Sequence, residues 1–220
     1  MNEMETAIKA AVAQYEALLR EQYARAEKMK QASPATDFAS KQKIVIGLCD
    51  GDGIGPIIMA QAKRAAALLL RDEINCGRVE LREIPGLTIE RRLACGQALP
   101  PETLEAMYAC DVILKGPTTT PKGGTLESAN VALRRELDLY ANLRPVSVPQ
   151  EGIDWAFFRE NTEGEYVLGS RGIELPETLA MDFKVTTVPG CRRIARAAFE
   201  YARANGKTRV AIVTKANIMK

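Results

Sequence analysis

Hydrophobic positions along this chain follow two regimes: a helical period near the amino end, then short apolar runs that alternate with helical stretches. From Ile8 to Met29 the residues Ile8, Val12, Tyr15, Leu19, Ala26 and Met29 recur at spacings of four and three, with Gln22 interrupting the series. That period, in a segment rich in Ala, Glu, Gln and Arg, predicts a helix of about six turns. Its seam suits a short coiled coil or partner-binding arm, but is too weak to prefer either over an amphipathic helix laid on the chain's own body. Gln31 to Ser40, with Ser33, Pro34, Thr36 and Asp37, reads as a linker. Lys43 to Cys49 is a β-branched apolar run that predicts a buried parallel strand, broken by Gly51 to Pro56 before a helix over Ile57 to Leu70. Arg78 to Ile84 and Asp111 to Lys115 read as further strands, with a helix at Pro101 to Ala109 between them. After Asn142 come strands at Trp155 to Phe158 and Phe183 to Val188, a helix at Arg192 to Asn205 and a last strand at Arg209 to Val213. The expected architecture is α/β, with a mixed sheet in the second half.

Composition narrows the functional classes. The 220 residues are 46% hydrophobic and 26% charged, enough for a real core and for no more than one or two domains. A net charge of +2 gives no electrostatic case for nucleic acid or for an anionic membrane surface. No window approaches the roughly 20 apolar residues of a bilayer span, and no secretory leader is legible. Five cysteines without a C-x-x-C pair fit neither a disulfide framework nor a zinc knuckle, so a cytoplasmic location is expected. With no histidine, Ser-His and Cys-His chemistry is excluded, and acid-base work falls to Lys, Tyr, Asp or Glu.

Gly51 to Pro56, G-D-G-I-G-P, invites a phosphate-loop reading. However, a proline replaces the last glycine of a dinucleotide fingerprint and Asp52 adds negative charge, so a tight strand-to-helix turn is the better reading. Lys115 and the threonines after it stand at a strand's carboxyl end, where open α/β folds place ligands; a surface lysine beside a Thr-rich loop is the plainer alternative. Asn130 and Arg134 are four apart and share a helix face, with Ser128 at its start, whereas Arg135 points elsewhere into solvent. Arg134, Arg144 and Arg159 each present a planar fork suited to a carboxylate, and Ser128 and Asn130 add neutral hydrogen bonds. The ligand inferred is a di- or tricarboxylic acid. Tyr166 follows the turn of R-E-N-T-E-G-E-Y and either faces the same pocket as Arg159 or fills space. Lys215, past the last expected strand and followed by Asn217, is either a base or a solvated lysine.

With G-D-G-I-G-P, L-K-G-P-T-T-T-P, S-A-N-V-A-L-R-R-E-L-D-L-Y-A-N-L-R-P-V, F-R-E-N-T-E-G-E-Y and V-T-K-A-N-I-M-K in this order, Lys43 to Lys220 resembles the metal-dependent β-decarboxylating dehydrogenases. That family includes isocitrate, 3-isopropylmalate, homoisocitrate and tartrate dehydrogenases. Ser128, where isopropylmalate enzymes carry an apolar residue, resembles the isocitrate type. The resemblance implies an isocitrate/isopropylmalate dehydrogenase-like fold: an incomplete parallel or mixed sheet of the large domain, part of the small domain, and an extra amino-terminal helix. Expected divisions are 1–40 for helix and linker, 41–140 for the large-domain part and 141–220 for the small, dimerisation-domain part. It further implies that Ser128, Asn130, Arg134, Arg144 and Arg159 bind the substrate's carboxylates. Thr119 and Asn217 lie near NAD or NADP, and Tyr166 and Lys215 form the catalytic pair, the lysine coming from a neighbouring subunit. The family's Mg or Mn ligands and its adenosine-binding segment have no counterpart before Lys220. The chain is therefore expected to be the amino-terminal part of a split or truncated isocitrate dehydrogenase, inactive alone, acting as a homo-oligomer or with a complementing carboxyl-terminal half. The alternatives are a non-catalytic regulatory or assembly subunit that binds a tricarboxylate, or a related 3-isopropylmalate or homoisocitrate dehydrogenase.

Overall fold

The computed structural model describes residues 3–31, 36–122, 126–169 and 171–218. They form two compact units, one of residues 34–138 and one that joins residues 1–33 to 139–220. The amino-terminal helix α1 (Glu3–Lys30) belongs to the latter.

In the 34–138 unit, β1 (Ile44–Cys49) is the centre of a parallel three-stranded sheet, flanked by β2 (Val79–Glu83) and β3 (Val112–Lys115). The crossover from β1 to β2 carries α2 (Gly55–Leu69) and the short α3 (Arg71–Asn75). Between β2 and β3 lie α4 (Ile89–Cys95) and α5 (Pro101–Tyr108), and α6 (Ala129–Glu136) follows β3. The Thr88 hydroxyl accepts the Arg91 N–H to start α4, and Gly96, in the left-handed region at φ 66°, ends it. Leu87, Met107, Ala132 and Leu133 pack with Cys49 in the core. Burial raises the Cys49 thiol's pKa to about 11, so it is a neutral, inert core group.

In the other unit, β4 (Ala141–Val148) and β5 (Ile153–Glu160) form an antiparallel pair across a turn closed by Gly152 at φ 66°. A small hairpin follows, β6 (Ile173–Leu175) with β7 (Leu179–Met181), and then α7 (Val188–Ala204). The Phe158 ring of β5 meets Tyr201 of α7 with centroids 5.3 Å apart. α1 lies along α7 and β6, with Leu18 buried against Val167 and Leu168 and Tyr15 stacked 5.4 Å from Phe183. No helix among the described residues is long and apolar enough to cross a membrane.

Several expectations need correction. Only part of the apolar seam of α1 is covered: Tyr15 meets Phe183, but Val12 and Leu19 are 60% and 56% exposed, while Leu18, outside the seam, and Gln22, which interrupts it, are buried. The helix docks through polar groups as well as apolar ones, and that loosens the link between apolar period and burial. Part of the expected linker, residues 32–35, lies outside the described residues. Phe183 to Val188 is not a strand; it holds one bridge, Val185 to Gly164, and Val188 already opens α7, four residues before the helix start expected at Arg192. Arg209 to Val213 is also not a strand. Ile212 and Val213 are 81% and 94% exposed, and a strand without a pairing partner has no ladder to stabilise it. Two separate antiparallel pairs therefore replace the expected mixed sheet in the second half.

Candidate functional site

In the 34–138 unit, the loops after β1 and β3 are laced together by a buried ion pair. The Asp52 carboxylate accepts the Ile89 N–H at 2.6 Å, the Thr119 N–H at 2.8 Å and Arg92 Nη2 at 2.9 Å. Arg92 Nη2 also donates to the Thr119 carbonyl at 2.6 Å. The two side chains are 0% (Arg92) and 4% (Asp52) exposed, so the pair acts in a low-dielectric setting and fixes the loop carrying Thr118 and Thr119. The glycine motif serves the same packing. A Cβ on Gly51 would lie 2.0 Å from the Pro117 carbonyl oxygen, while the Asp52 N–H already donates to that oxygen at 2.7 Å. The charge of Asp52, which looked like a reason against a phosphate loop, is the organising group of this turn. Sequence reading missed Arg92, because its helix spans only seven residues and offers no period to read.

On that frame, Lys115 ends β3 half-buried, its ammonium donating to the Gly116 carbonyl at 2.6 Å. Burial lowers its pKa from the ordinary lysine value, and the positive charges of Arg92 and Arg134 push the same way against Cys49 and Asp52. Ser128 occupies the N-cap position of α6, yet its hydroxyl makes no capping bond. Asn130 shares a 3.2 Å hydrogen bond with the Thr118 hydroxyl. Arg134, one turn on, is half-buried and pairs with no carboxylate among the described residues. Arg135 is not simply solvated: it closes bidentately on Glu127 at 2.7 and 3.0 Å. Thr119 is exposed.

In the 139–220 unit, the antiparallel register sets Arg159 opposite Asn142 and Phe157 opposite Arg144, so both arginines project from one face of the β4–β5 pair as diagonal neighbours. Arg144 Nε donates to Asn142 Oδ1 at 3.1 Å. Arg159 Nη2 donates to the Tyr166 hydroxyl at 2.5 Å, with its guanidinium carbon 5.3 Å from the ring centroid. Sequence reading left Tyr166 open between pocket and filler; the phenol is half-buried with its oxygen on this arginine. The preceding turn is held by two acids that sequence reading did not single out. Glu160 accepts the N–H groups of Thr162 and Glu163 at 2.7 and 2.6 Å, and Glu163 accepts from Thr187. Lys215 and Asn217 are exposed and follow no strand.

The fit to the family's cofactors can be tested on these residues. Among the described residues no group of three or more His, Cys, Asp or Glu could hold a metal ion, so a divalent cation has no ligand set here. Thr119 and Asn217 are single hydrogen-bonding groups. In the glycine loop the N–H groups of Asp52 and Gly55 are engaged by backbone carbonyls, and the Asp52 carboxylate stands in the same turn, which disfavours a phosphate there. Neither group fits the described residues by themselves.

Comparisons with known proteins agree with the motif order. The family profile of isocitrate/isopropylmalate dehydrogenases matches residues 45–220. An NADP isocitrate dehydrogenase of Staphylococcus epidermidis is 35% identical over 227 aligned positions, covering 89% of this chain and 53% of that protein. The NADP isocitrate dehydrogenase of Thermus thermophilus is 39% identical over 80% of this chain and 36% of its own length. A crystal structure of a protein from Thermus thermophilus superposes with a TM-score of 0.63 at 35% identity, covering 84% of this chain and 39% of that one. The chain thus spans about half the length of the Staphylococcus relative and less of the Thermus one. A profile match over four-fifths of the residues, with the parallel sheet and motif loops in place, means that this chain belongs to the isocitrate/isopropylmalate dehydrogenase family.

Proposed function

We propose that this chain contributes the carboxylate-binding and proton-transfer residues of an NADP-dependent isocitrate dehydrogenase. The observation that carries the reading is the state of its three motif arginines. Arg134, Arg144 and Arg159 pair with no carboxylate among the described residues, which they share with exposed arginines such as Arg71 and Arg196; what sets the motif arginines apart is their company, since Arg144 and Arg159 share one face of the β4–β5 pair and Arg159 holds the Tyr166 hydroxyl. A guanidinium without an internal acid keeps its fork for an exogenous one.

In this reading Ser128, Asn130, Arg134, Arg144 and Arg159 are the groups that bind the carboxylates of isocitrate. Tyr166 accepts a hydrogen bond from Arg159, so its own O–H remains free to be aimed at a ligand, which suits a proton donor. Lys215 is the partner group that would take the C2 hydroxyl proton. Thr119 and Asn217 would contact the nicotinamide nucleotide, whose chemistry when bound is to accept hydride. Metal ligands and the adenosine subsite come from polypeptide beyond the described residues.

The test is to combine this chain with a polypeptide covering the rest of the family's length, Mg and NADP, and to follow nicotinamide absorbance with isocitrate or 3-isopropylmalate. Turnover with isocitrate, lost in Tyr166→Phe, is expected. Calorimetric binding of isocitrate without turnover in any combination would instead favour a binding subunit, and preference for 3-isopropylmalate would move the chain to that branch.

A further inference from the structure

The amino-terminal helix grips the chain on both sides of Tyr166. Upstream, Arg25 Nη2 donates to Glu163 Oε1 at 3.0 Å, and Arg25 Nε donates to Gln22 Oε1 at 2.9 Å. The Arg25 and Glu163 side chains are only 21% and 6% exposed, so solvent screens this pair little. Glu163 also receives the N–H and hydroxyl of Thr187, at 2.9 and 2.5 Å, which ties the turn to the start of α7. Downstream, Leu18 packs on Val167 and Leu168, the two residues directly after Tyr166. Arg171 closes on Glu21 at 2.7 and 2.9 Å, and the Gln14 amide donates to the Gly172 carbonyl at 2.9 Å.

These grips fall on a stretch with little structure of its own. Residues 161–169 include neither helix nor paired strand beyond the bridge from Gly164 to Val185. A turn of this kind keeps many conformations open unless outside contacts remove them. The helix meets it through hydrogen bonds and ion pairs together with Leu18, while Val12 and Leu19 stay largely exposed.

We propose that α1 is a clamp on the Tyr166 turn, with Arg25 and Leu18 as positioning residues that hold the Tyr166 phenol against Arg159. The proposal rests on the isocitrate reading only for what the phenol does; the clamping is a property of this chain alone. It fixes the direction of a proton-donating group before any ligand arrives, and preorganisation of that kind is what a positioned acid requires.

The full chain, labelled with ¹³Cζ-tyrosine, gives six resonances to follow, and Tyr166→Phe identifies the relevant one. Arg25→Ala and Leu18→Ala are each expected to shift and broaden the Tyr166 signal while Tyr108 and Tyr201 stay in place. Arg25→Lys keeps the charge pair and should restore most of the line. Arg20→Ala, which removes an exposed pair with Glu16, should leave the signal unmoved. A Tyr166 resonance unchanged in a folded Arg25→Ala chain overturns the clamp. So does a common shift of Tyr108 and Tyr201 with it, because α1 would then be a general scaffold. Should Leu18→Ala not fold, the Arg25→Ala and Arg25→Lys pair carries the same decision. As no turnover is measured, loss of the clamp and loss of the isocitrate reading are told apart.

Discussion

At the residue scale, a charge pair buried on both sides marks scaffold. Arg92 is buried against Asp52 and organises two loops, so breaking the pair strands a desolvated carboxylate. Arg92→Met, which keeps the stem's volume, should cost about 3–5 kcal/mol, read as a lower urea midpoint; a loss under about 1 kcal/mol would mean that water replaces the guanidinium without penalty. Ser128 offers the opposite case, a hydroxyl at a helix start that caps nothing. Ser128→Leu should weaken isocitrate binding by about 1–3 kcal/mol, because an apolar group would desolvate a carboxylate and leave it unpaired. Equal calorimetric affinity in the variant would place the substrate elsewhere. Lys115 carries a pH signature. Its pKa in the fold is below the ordinary 10.5, so between the lowered value and 10.5 the unfolded chain binds more protons and stability rises with pH. Cys49 acts against it, since a thiol raised to about 11 from 9.0 costs stability as pH climbs through that interval. Subtracting the urea midpoints of Lys115→Met from those of the parent chain across pH 8–11 should isolate the lysine's upward slope, and a flat difference would show that the ammonium is fully solvated.

At the element scale, what could be read from the sequence was whatever depended on neighbours in sequence. The strands at Lys43 to Cys49 and Asp111 to Lys115, and the helix at Pro101 to Ala109, emerge within a residue or two of expectation, because each carries its own period, proline or apolar run. The helix holding Asn130 and Arg134 was legible for the same reason, and so was the shared face of that pair. What was not legible depended on distant partners. β4 was missed although it pairs along its whole length with β5, because Pro145 and Arg144 interrupt any alternation. Arg209 to Val213 has the β-branched apolar run and no strand, because pairing is not a local property. The role of Glu163 could not be seen either, since its partners Arg25 and Thr187 lie 138 and 24 residues away. One residue records that packing: a Cβ on Gly190 would stand 2.4 Å from the Glu163 carboxylate carbon. Gly190→Ala therefore has to push the acid off the start of α7, at a cost of about 1–3 kcal/mol. Thermal unfolding should show this as a lowered midpoint, whereas an unchanged or raised one, as expected from alanine's higher helix propensity alone, would show that the acid moves freely.

At the scale of the whole molecule, the two units differ in how much apolar surface they remove from water. The 34–138 unit has eight buried apolar residues in one cluster, drawn from β1, the segment after β2, α5 and α6. The buried cluster of the other unit holds three, Leu18, Val167 and Leu168. On that unit Trp155 and Phe157 are 58% and 49% exposed on the arginine-bearing face of β5, and Phe199 and Ile212 are exposed as well. Net stability is a small remainder after chain entropy is offset by burial, so the unit with the smaller core should open first and more often. Hydrogen exchange followed by mass spectrometry tests this directly. Amides of Ile46 to Leu48 in the central parallel strand should exchange at least about tenfold more slowly than those of Leu143 and Arg144, a gap of about 1.4 kcal/mol in opening free energy. The same experiment with isocitrate present bears on function, because a ligand that binds only the folded form slows exchange wherever its contacts are made. Protection confined to residues 128–134 would assign the carboxylates to α6 alone, while protection reaching Arg144, Arg159 and the Tyr166 turn would add those groups to the ligand's contacts. Equal exchange in the two strands without ligand would show that the smaller cluster is compensated by its ion pairs, and that Arg25, Glu163 and Arg171 contribute more to the fold than buried area suggests.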